Sequence, residues 1–394
     1  MIALRRFGTA LAVLVPLALV IFFFVVARVV GGRMNRIDAT AAIAVSEKAK
    51  ALHVTLRVAD LHNDLLLWDR DPVSLGGSGH TDITRLVEGN VAVEVFSTVT
   101  KTPKGQNYES NSAATDNITL LAVASRWPRR TWDSRLQRAL YQGAKLDHAA
   151  GISEGRLIVV HTAAELAKAL EFRAGTPGIK PVVGILNTEG LQAIDGLLEN
   201  VDTLFAHGFR MAGLAHFFDN EVAGSAHGEA KGGLTPLGRA AFTRMQQLGM
   251  LVDLAHVSPK AFSDALALAT KPVVVSHTGV QATCAGPRNL TDDQLRALAQ
   301  NGALIGIGFW DGAVCDRSPR SIAKAIRHAV DVAGLDHVAL GSDWDGATTV
   351  AFGADGIAQV TEALLQAGFS ESEIRAVMGE NAIRFLLANL PSGA

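Results

Sequence analysis

Histidines and acids in this sequence recur at the ends of short apolar runs. In Asp60-Leu61-His62-Asn63-Asp64 an imidazole and a carboxylate stand two residues apart. On an extended strand that spacing turns both side chains to one face, within reach of one cation. Taken alone, His-x-Asp is a common chance match. Glu189, after Ile185-Leu186-Asn187-Thr188, reads equally as a carboxylate favoured by a helix N-terminus. His256 and His277 each close another apolar run, and each alone could be a hydrogen-bonded core histidine. Together, three histidines and two acids offer the nitrogen and oxygen ligands of a zinc pair. One carboxylate can bridge two such ions, the arrangement used in metal-assisted hydrolysis.

Further groups could complete the chemistry. Asp343 lies in Gly341-Ser342-Asp343-Trp344-Asp345-Gly346. It could take a proton from an activated water or bind a metal itself; Asp345 competes for that role, or caps a turn. His216, beside Phe217 and Phe218, could donate to a developing oxyanion or simply pack in the core. Arg288, in Gly286-Pro287-Arg288-Asn289, suits bidentate capture of a carboxylate; the plainer alternative is a surface ion pair.

These residues converge only if the elements bearing them share one open face. Apolar, β-branched runs at residues 56–61, 91–98, 181–186, 209–214, 250–254, 272–276, 303–308 and 337–341 read as strands. Amphipathic stretches at 234–248, 259–269, 291–300 and 321–332 read as helices between them, and 38–53 as a helix ahead of the first strand. Strands apolar on both faces and separated by helices indicate a parallel sheet, and eight such units a closed (β/α)8 TIM barrel. In a barrel the C-terminal strand ends form one mouth, so His62, Asp64, Glu189, His216, His256, His277 and Asp343 would meet there. No G-x-G-x-x-G follows the first strand, which argues against a dinucleotide fold. Residues 100–180 exceed one crossover; a helix pair at 112–125 and 131–146 and the segment 156–172 read as a helical insertion between strands 2 and 3.

Residues 9–27 carry no charge and are about as long as the ~20 apolar residues that cross a bilayer. Arginines flank both ends, so the charge rule for orientation is nearly balanced. The run is longer than a cleavable signal usually needs, and Val-Val-Ala-Arg is a poor cleavage site. Residues 1–36 are therefore expected to be a retained signal-anchor and 37–394 a catalytic domain outside the cytoplasm, with a cleaved secreted form as the alternative. Apolar residues make up 48% of the chain and charged residues 19%, enough for a large core; the formal net charge of −2 and the lack of a basic tract exclude a nucleic-acid partner. The two cysteines, Cys284 and Cys315, could bond in an oxidising compartment or remain two buried thiols.

The motifs resemble the membrane dipeptidase (renal dipeptidase) family of metal-dependent amidohydrolase-like barrels. The resemblance runs in order over residues 58–390. It comprises Asp60 to Asp64, His80-Thr81-Asp82-Ile83-Thr84-Arg85-Leu86, Thr188-Glu189-Gly190-Leu191-Gln192-Ala193-Ile194-Asp195 and Gly208-Phe209-Arg210 leading to His216. It continues through Gly233-Leu234-Thr235-Pro236-Leu237-Gly238, Val252-Asp253-Leu254-Ala255-His256-Val257-Ser258, Ser276-His277-Thr278, Pro287-Arg288-Asn289-Leu290 and Gly341 to Gly346. It implies two Zn2+ ions, one held by His62 and Asp64, the other by His256 and His277, with Glu189 bridging. It makes Asp343 the general base, His216 the oxyanion donor and Arg288 the clamp on the substrate's C-terminal carboxylate. It also implies dipeptide substrates, tolerance of a C-terminal D-residue and a Cys284–Cys315 disulfide. Gln192 stands where the family often has a histidine. The stretch after His216 resembles the bacterial branch. Phe309-Trp310 replaces a tyrosine found in some members, so the Trp310 indole N–H is the expected substitute donor. An N-acyl amino-acid deacylase or lactonase could use the same site, and an inactive barrel would keep only binding. Expected partners are small dipeptides, the bilayer through the N-terminal helix and a second copy of the chain as a homodimer.

Overall fold

A computed structural model describes residues 14–176, 178 and 180–393. Eight parallel strands close into a barrel: β1 (Val58–Asn63), β2 (Val91–Phe96), β3 (Val182–Thr188), β4 (Phe209–Gly213), β5 (Leu251–Asp253), β6 (Val274–Thr278), β7 (Leu304–Ile307) and β8 (Val338–Leu340). The ring shuts through β8 on β1, with Leu340 opposite Asp60, and through β2 on β3, with Val93 opposite Val183. Met211, Leu251, Val274 and Leu304 pack in one cluster with Ala382, Ile383 and Leu386 of the C-terminal helix Asn381–Asn389. A larger apolar cluster joins strands to the surrounding helices, as in other side-chain-filled barrels.

The sequence punctuates its helices clearly. Pro236–Leu248 begins with Thr235, whose side chain accepts from Gly238 N, and ends at Gly249 with φ +75°. Pro259–Leu268 and Pro319–Ala333 repeat the pattern of a serine cap followed by proline, and Asp292–Asn301 opens with a Thr291–Gln294 capping box.

Three expectations change. The stretch 38–53 is not one helix. The Asp38 carboxylate accepts from Thr40 N and Oγ1 and closes a short turn, Ala39–Ala41. The helix proper, Glu47–His53, starts where Ser46 caps Ala49 N and itself donates to Glu362 from N and Oγ, at 3.0 and 2.5 Å. In the insertion, the helix expected at 112–125 shrinks to Ile118–Ala124, because the preceding loop turns aside to pin Asn111 N on the carbonyl of His227 at 2.8 Å. Segment 156–172 contributes a ninth strand, Leu157–Val159, and then helix Ala163–Gly175. That strand pairs with Val182–Gly184, and β4 pairs with β3 from Leu186 onward.

Leu14–Met34 forms one continuous apolar helix of mean hydropathy 2.6, with a π-type turn at Phe22–Val26. The first part of the expected 9–27 span lies outside the described residues. The helix is not detached from the barrel. Ala27 and Gly31 are buried, and a Cβ on Gly31 would stand 2.9 Å from the Trp68 ring. Arg36–Ile37 then pairs in parallel with Thr349–Val350, just after β8.

Close approach of backbones at the mouth demands glycine. A Cβ on Gly341 would overlap the carbonyl oxygen of Ser276 on the strand that carries His277. Gly341→Ala should therefore cost about 1–3 kcal/mol by overpacking and lower activity as well. Chemical denaturation checks this, and a variant as stable as the wild type would refute the claimed contact.

Candidate active site

Each strand end delivers its side chain through local bonds that fix its direction. Asp64, just past β1, is held by its backbone N–H on the Trp344 carbonyl at 2.9 Å. His256 and Asp343 both adopt left-handed backbone, with φ +64° and +60°. Such conformations are uncommon outside glycine and cluster where surrounding structure over-determines them. Here Ala226 N donates to the His256 carbonyl at 2.8 Å, and Asp343 N donates to the His62 carbonyl at 3.2 Å.

The seven side chains meet. His256 Nε2, His277 Nε2 and His62 Nε2 lie 2.8, 3.2 and 3.6 Å from Glu189 Oε1, and His216 Nε2 lies 3.0 Å from Oε2. His62 Nε2 is also 3.7 Å from Asp64 Oδ1 and 4.0 Å from Asp343 Oδ1. All seven are at most 8% exposed. The tightest groups are His62–Glu189–His277, Glu189–His216–His256 and His62–Asp64–Asp343. They cut across the division His62/Asp64 and His256/His277. The geometry thus gathers the donor set without assigning each donor to one ion, and His216 and Asp343 stand as near as the other donors.

Several features fit a metal. His62 Nε2 and Asp64 Oδ1 are buried, face each other and have no hydrogen-bond partner among the described residues. His256 Nε2 and His277 Nε2 point at one another across 3.0 Å beside a carboxylate. Buried polar atoms without partners are rare unless an ion or water serves them. Mixed imidazole and carboxylate donors suit a transition-metal ion such as zinc better than calcium or magnesium.

The electrostatics carry the same message. Burial, then Asp64 and Asp343, push the Glu189 carboxyl well above its usual range. Burial likewise lifts Asp343 to about 8, with Asp64 adding to the shift. Burial lowers His62, but Glu189, Asp64 and Asp343 outweigh it and raise the imidazole to about 10. Burial pushes His216 down to about 3 and drives His256 and His277 well below the usual range.

A supporting layer lies behind these donors. Ser276 Oγ donates to Asp253 Oδ2 at 2.5 Å and lies 2.8 Å from His277 Nδ1. A hydroxyl has one proton, so it must accept from Nδ1–H, which leaves His277 Nε2 as the free lone pair. Asp60 accepts from Ser342 N and Oγ at 2.7 and 2.5 Å, beneath the metal ligands. Asp345, the rival of Asp343, is fully buried and bonded to His80 N, Thr81 N and the Arg70 guanidinium. It braces the mouth and is not free to move a proton. A carboxylate inside an otherwise apolar strand, as in Val252-Asp253-Leu254, was the available signal for Asp253.

The donors open into a cleft of about 570 Å³ that Asp64, Glu189, His216, His256, Arg288, Trp310 and Asp343 line. Arg288 is buried; Nη2 donates to the His277 carbonyl at 2.6 Å, and Nε has no partner among the described residues. Trp310 lines the cleft, but its indole N–H is not free as expected: it donates to Tyr108 Oη at 2.9 Å. Tyr108 comes from the insertion loop, whose fold no local pattern revealed. Gln192 donates to the Glu189 carbonyl at 2.9 Å and accepts from Asn220 at 3.1 Å, so it secures the loop behind Glu189. Cys284 and Cys315 are bonded to each other, linking the loops after β6 and β7.

A closed parallel barrel with this cluster at its mouth defines a metal-dependent hydrolase. Residues 46–389 match the family model of membrane dipeptidase, peptidase family M19, and the chain belongs to that family. It is 29% identical over 335 residues to dipeptidase tcpJ of Claviceps purpurea (strain 20.1), covering 82% of this chain and 72% of that one. Its structure is similar to a metallo peptidase from Rhodobacter sphaeroides bound to a phosphinate mimic of the dipeptide L-Ala-D-Ala, with TM-score 0.69, 26% identity and coverage of 85% and 99% of the two chains. The probable dipeptidase PvdM from Pseudomonas aeruginosa, 18% identical with TM-score 0.71 over 87% of this chain and 98% of its own, shares the fold. The protein is a metal-dependent dipeptidase.

Ser276→Ala removes the acceptor that fixes the His277 tautomer. Metal affinity should fall about 10–100-fold in competition with a chromophoric chelator, with the fold intact by circular dichroism. Unchanged affinity would remove the tautomer-setting role.

Proposed function

We infer that the metals are two zinc ions and that the enzyme cleaves dipeptides held by both ends. The observation that carries this is the pairing of unpartnered buried donors, His62 Nε2 and Asp64 Oδ1, with a buried Arg288 in one cleft. His62 and Asp64 would hold one ion, His256 and His277 the other, and Glu189 both. Such a pair supplies a water acidic enough to ionise near neutral pH and a Lewis acid beside the scissile carbonyl.

The chain's own groups do the rest. Asp343 accepts the proton of the attacking water and returns it to the leaving amine nitrogen; its carboxylate lines the cleft, with Oδ1 4.0 Å from His62 Nε2. His216, neutral because burial depresses its pKa, donates an N–H to the oxyanion. Arg288 binds the C-terminal carboxylate, with Trp310 beside it at 5.8 Å from guanidinium to ring centre. A longer peptide lacks a carboxylate there, which selects dipeptides. The likeness to a relative bound to an L-Ala-D-Ala mimic supports acceptance of a D-residue at that end.

The chain divides into an anchor, residues 1–36, and a catalytic domain, residues 37–394. The exposed apolar turns from Leu14 to Ile21, ahead of the part that docks on the barrel, support membrane attachment, and the Cys284–Cys315 bond supports a domain outside the cytoplasm. Burial of Ala27 and Gly31 against the barrel favours a retained helix over a cleaved one.

Asp343→Asn should lower kcat by about 10²–10⁴ on L,L and L,D dipeptides, with zinc unchanged at about two per chain. Turnover equal to wild type, or hydrolysis confined to N-acyl amino acids, would overturn the assignment. Zinc loading has a pH signature as well. The ion needs His62 deprotonated, whereas in the metal-free protein that imidazole titrates at about 10. Loading at pH 7 should therefore release protons, and affinity should climb as pH rises toward 10. Calorimetry in two buffers of different ionisation enthalpy reads the release; none would contradict the charge arrangement.

A further inference from the structure

The N-terminal helix is more than a tether. Its residues Ala27 and Gly31 pack inward, with the Trp68 ring lying on Gly31. Asn35 continues that stripe, bonding Gly31 O through Nδ2 at 3.0 Å and Ala347 N through Oδ1 at 2.9 Å. Arg126 donates to the Phe23 carbonyl and sits over the Phe24 ring, while Asp69 lies 3.5 Å from both Arg28 and Arg126. These contacts hold the second half of the helix against the barrel mouth. The large apolar side chains from Leu14 to Ile21 remain 45–59% exposed.

Docking by one stripe turns the adjacent stripe toward the metals. Phe22, Val26, Val30 and Met34 recur every four residues, the spacing of one helix face. All four line the same cleft as Glu189, Asp343 and Arg288. Leu67, Leu120 and Leu121 line it as well. The charged residues lining the cleft are Asp64, Glu189, Arg288 and Asp343, all at the metal end. Thr102, Gln106, Asn117 and Thr348 also line the cleft, so away from the metal end it offers an occupant mainly apolar surface and no charge, and about 570 Å³ falls in the range that encloses ligands of drug size.

We propose that the anchor helix builds an apolar subsite, through Phe22, Val26, Val30 and Met34, for a bulky apolar side chain on the N-terminal residue of the dipeptide. The assignment to that end rests on Arg288 holding the C-terminal carboxylate. With the carboxylate at Arg288 and the scissile carbonyl at the metals, the N-terminal residue extends into the remaining, apolar part of the cleft. The helix thus sets specificity as well as location.

The test uses full-length protein in lipid nanodiscs, because detergent tails would compete for the same surface. Values of kcat/KM are measured for X-Ala with X as Gly, Ala, Leu and Phe, and for Ala-X with the same set. Wild type should prefer Leu-Ala and Phe-Ala over Ala-Ala by about tenfold to a hundredfold, from burial of the added carbons. The double variant Val26→Ser/Val30→Ser should flatten that series to within about threefold. Val25→Ser/Val29→Ser changes the helix composition equally but alters residues that do not line the cleft, and it should keep the wild-type series. A flat X-Ala series in wild type, or a series that survives Val26→Ser/Val30→Ser, overturns the subsite. If Arg288→Lys still raises KM for Ala-Ala, that failure is confined to the subsite. Grading that follows the C-terminal residue instead overturns the subsite and the role of Arg288 together.

Discussion

Glu189 lies buried with the imidazole nitrogens of His62, His216, His256 and His277 between 2.8 and 3.6 Å from its oxygens. Asp64 and Asp343 are buried beside it. Acids gathered out of water repel one another, and imidazoles out of water resist protonation. Protons alone satisfy this cluster poorly: His62, Glu189 and Asp343 are driven up while His216, His256 and His277 are driven down. Divalent cations resolve both problems at once. The rest of the fold can be understood as what is needed to hold that many donors in a place where they would not stay by themselves.

The supporting layer shows how. Asp253 orients Ser276, and Ser276 orients His277. Asp60 fixes Ser342 next to Asp343, and Asn63 donates to Glu94 at 2.5 Å behind β1. Asp345 ties the loop after β8 to Arg70, His80 and Thr81. Aspartates of the same motif therefore do different work because of their neighbours. Asp345 has its acceptor sites filled by donors, whereas Asp343 lines the cleft, although both sit in left-handed backbone. Preorganisation of this kind lets a site act without rearranging at the moment of reaction.

Much of this was legible because a barrel brings strand ends together. Each expected strand overlaps an observed one, since apolar β-branched runs closed by glycine or a polar residue have few other outcomes. His62, Asp64, Glu189, His256 and His277 could therefore be grouped before any coordinates. Residue type and spacing did not divide them between ions; only the family resemblance did, and the observed distances differ by too few tenths of an ångström to make that division. The strand Leu157–Val159 was hidden by its brevity, and the break at Ser46 by the partner Glu362, 316 residues away. Tyr108 was missed for a related reason: it reaches Trp310 across 202 residues, through a loop with no periodic pattern. Local pattern fixes elements; long-range hydrogen bonds decide which side chain occupies a site.

The N-terminal helix is the clearest case of long-range packing. Its apolar composition reads as a membrane span, and by composition alone it could be exchanged for any other span. Gly31 against Trp68 and Asn35 on Ala347 make it specific. Ala347 belongs to the loop that begins at Asp343, and Thr348 Oγ1 donates to the Asp343 carbonyl at 3.1 Å. The pairing of Arg36–Ile37 with Thr349–Val350 closes the same connection. The loop carrying the proposed base thus leans on the anchor at its far end. A left-handed residue such as Asp343 persists only while its surroundings over-determine it, and part of those surroundings is the anchor helix. The N-terminal helix and the active site are one mechanical unit, so a boundary at residue 36 would not separate two independently packed bodies.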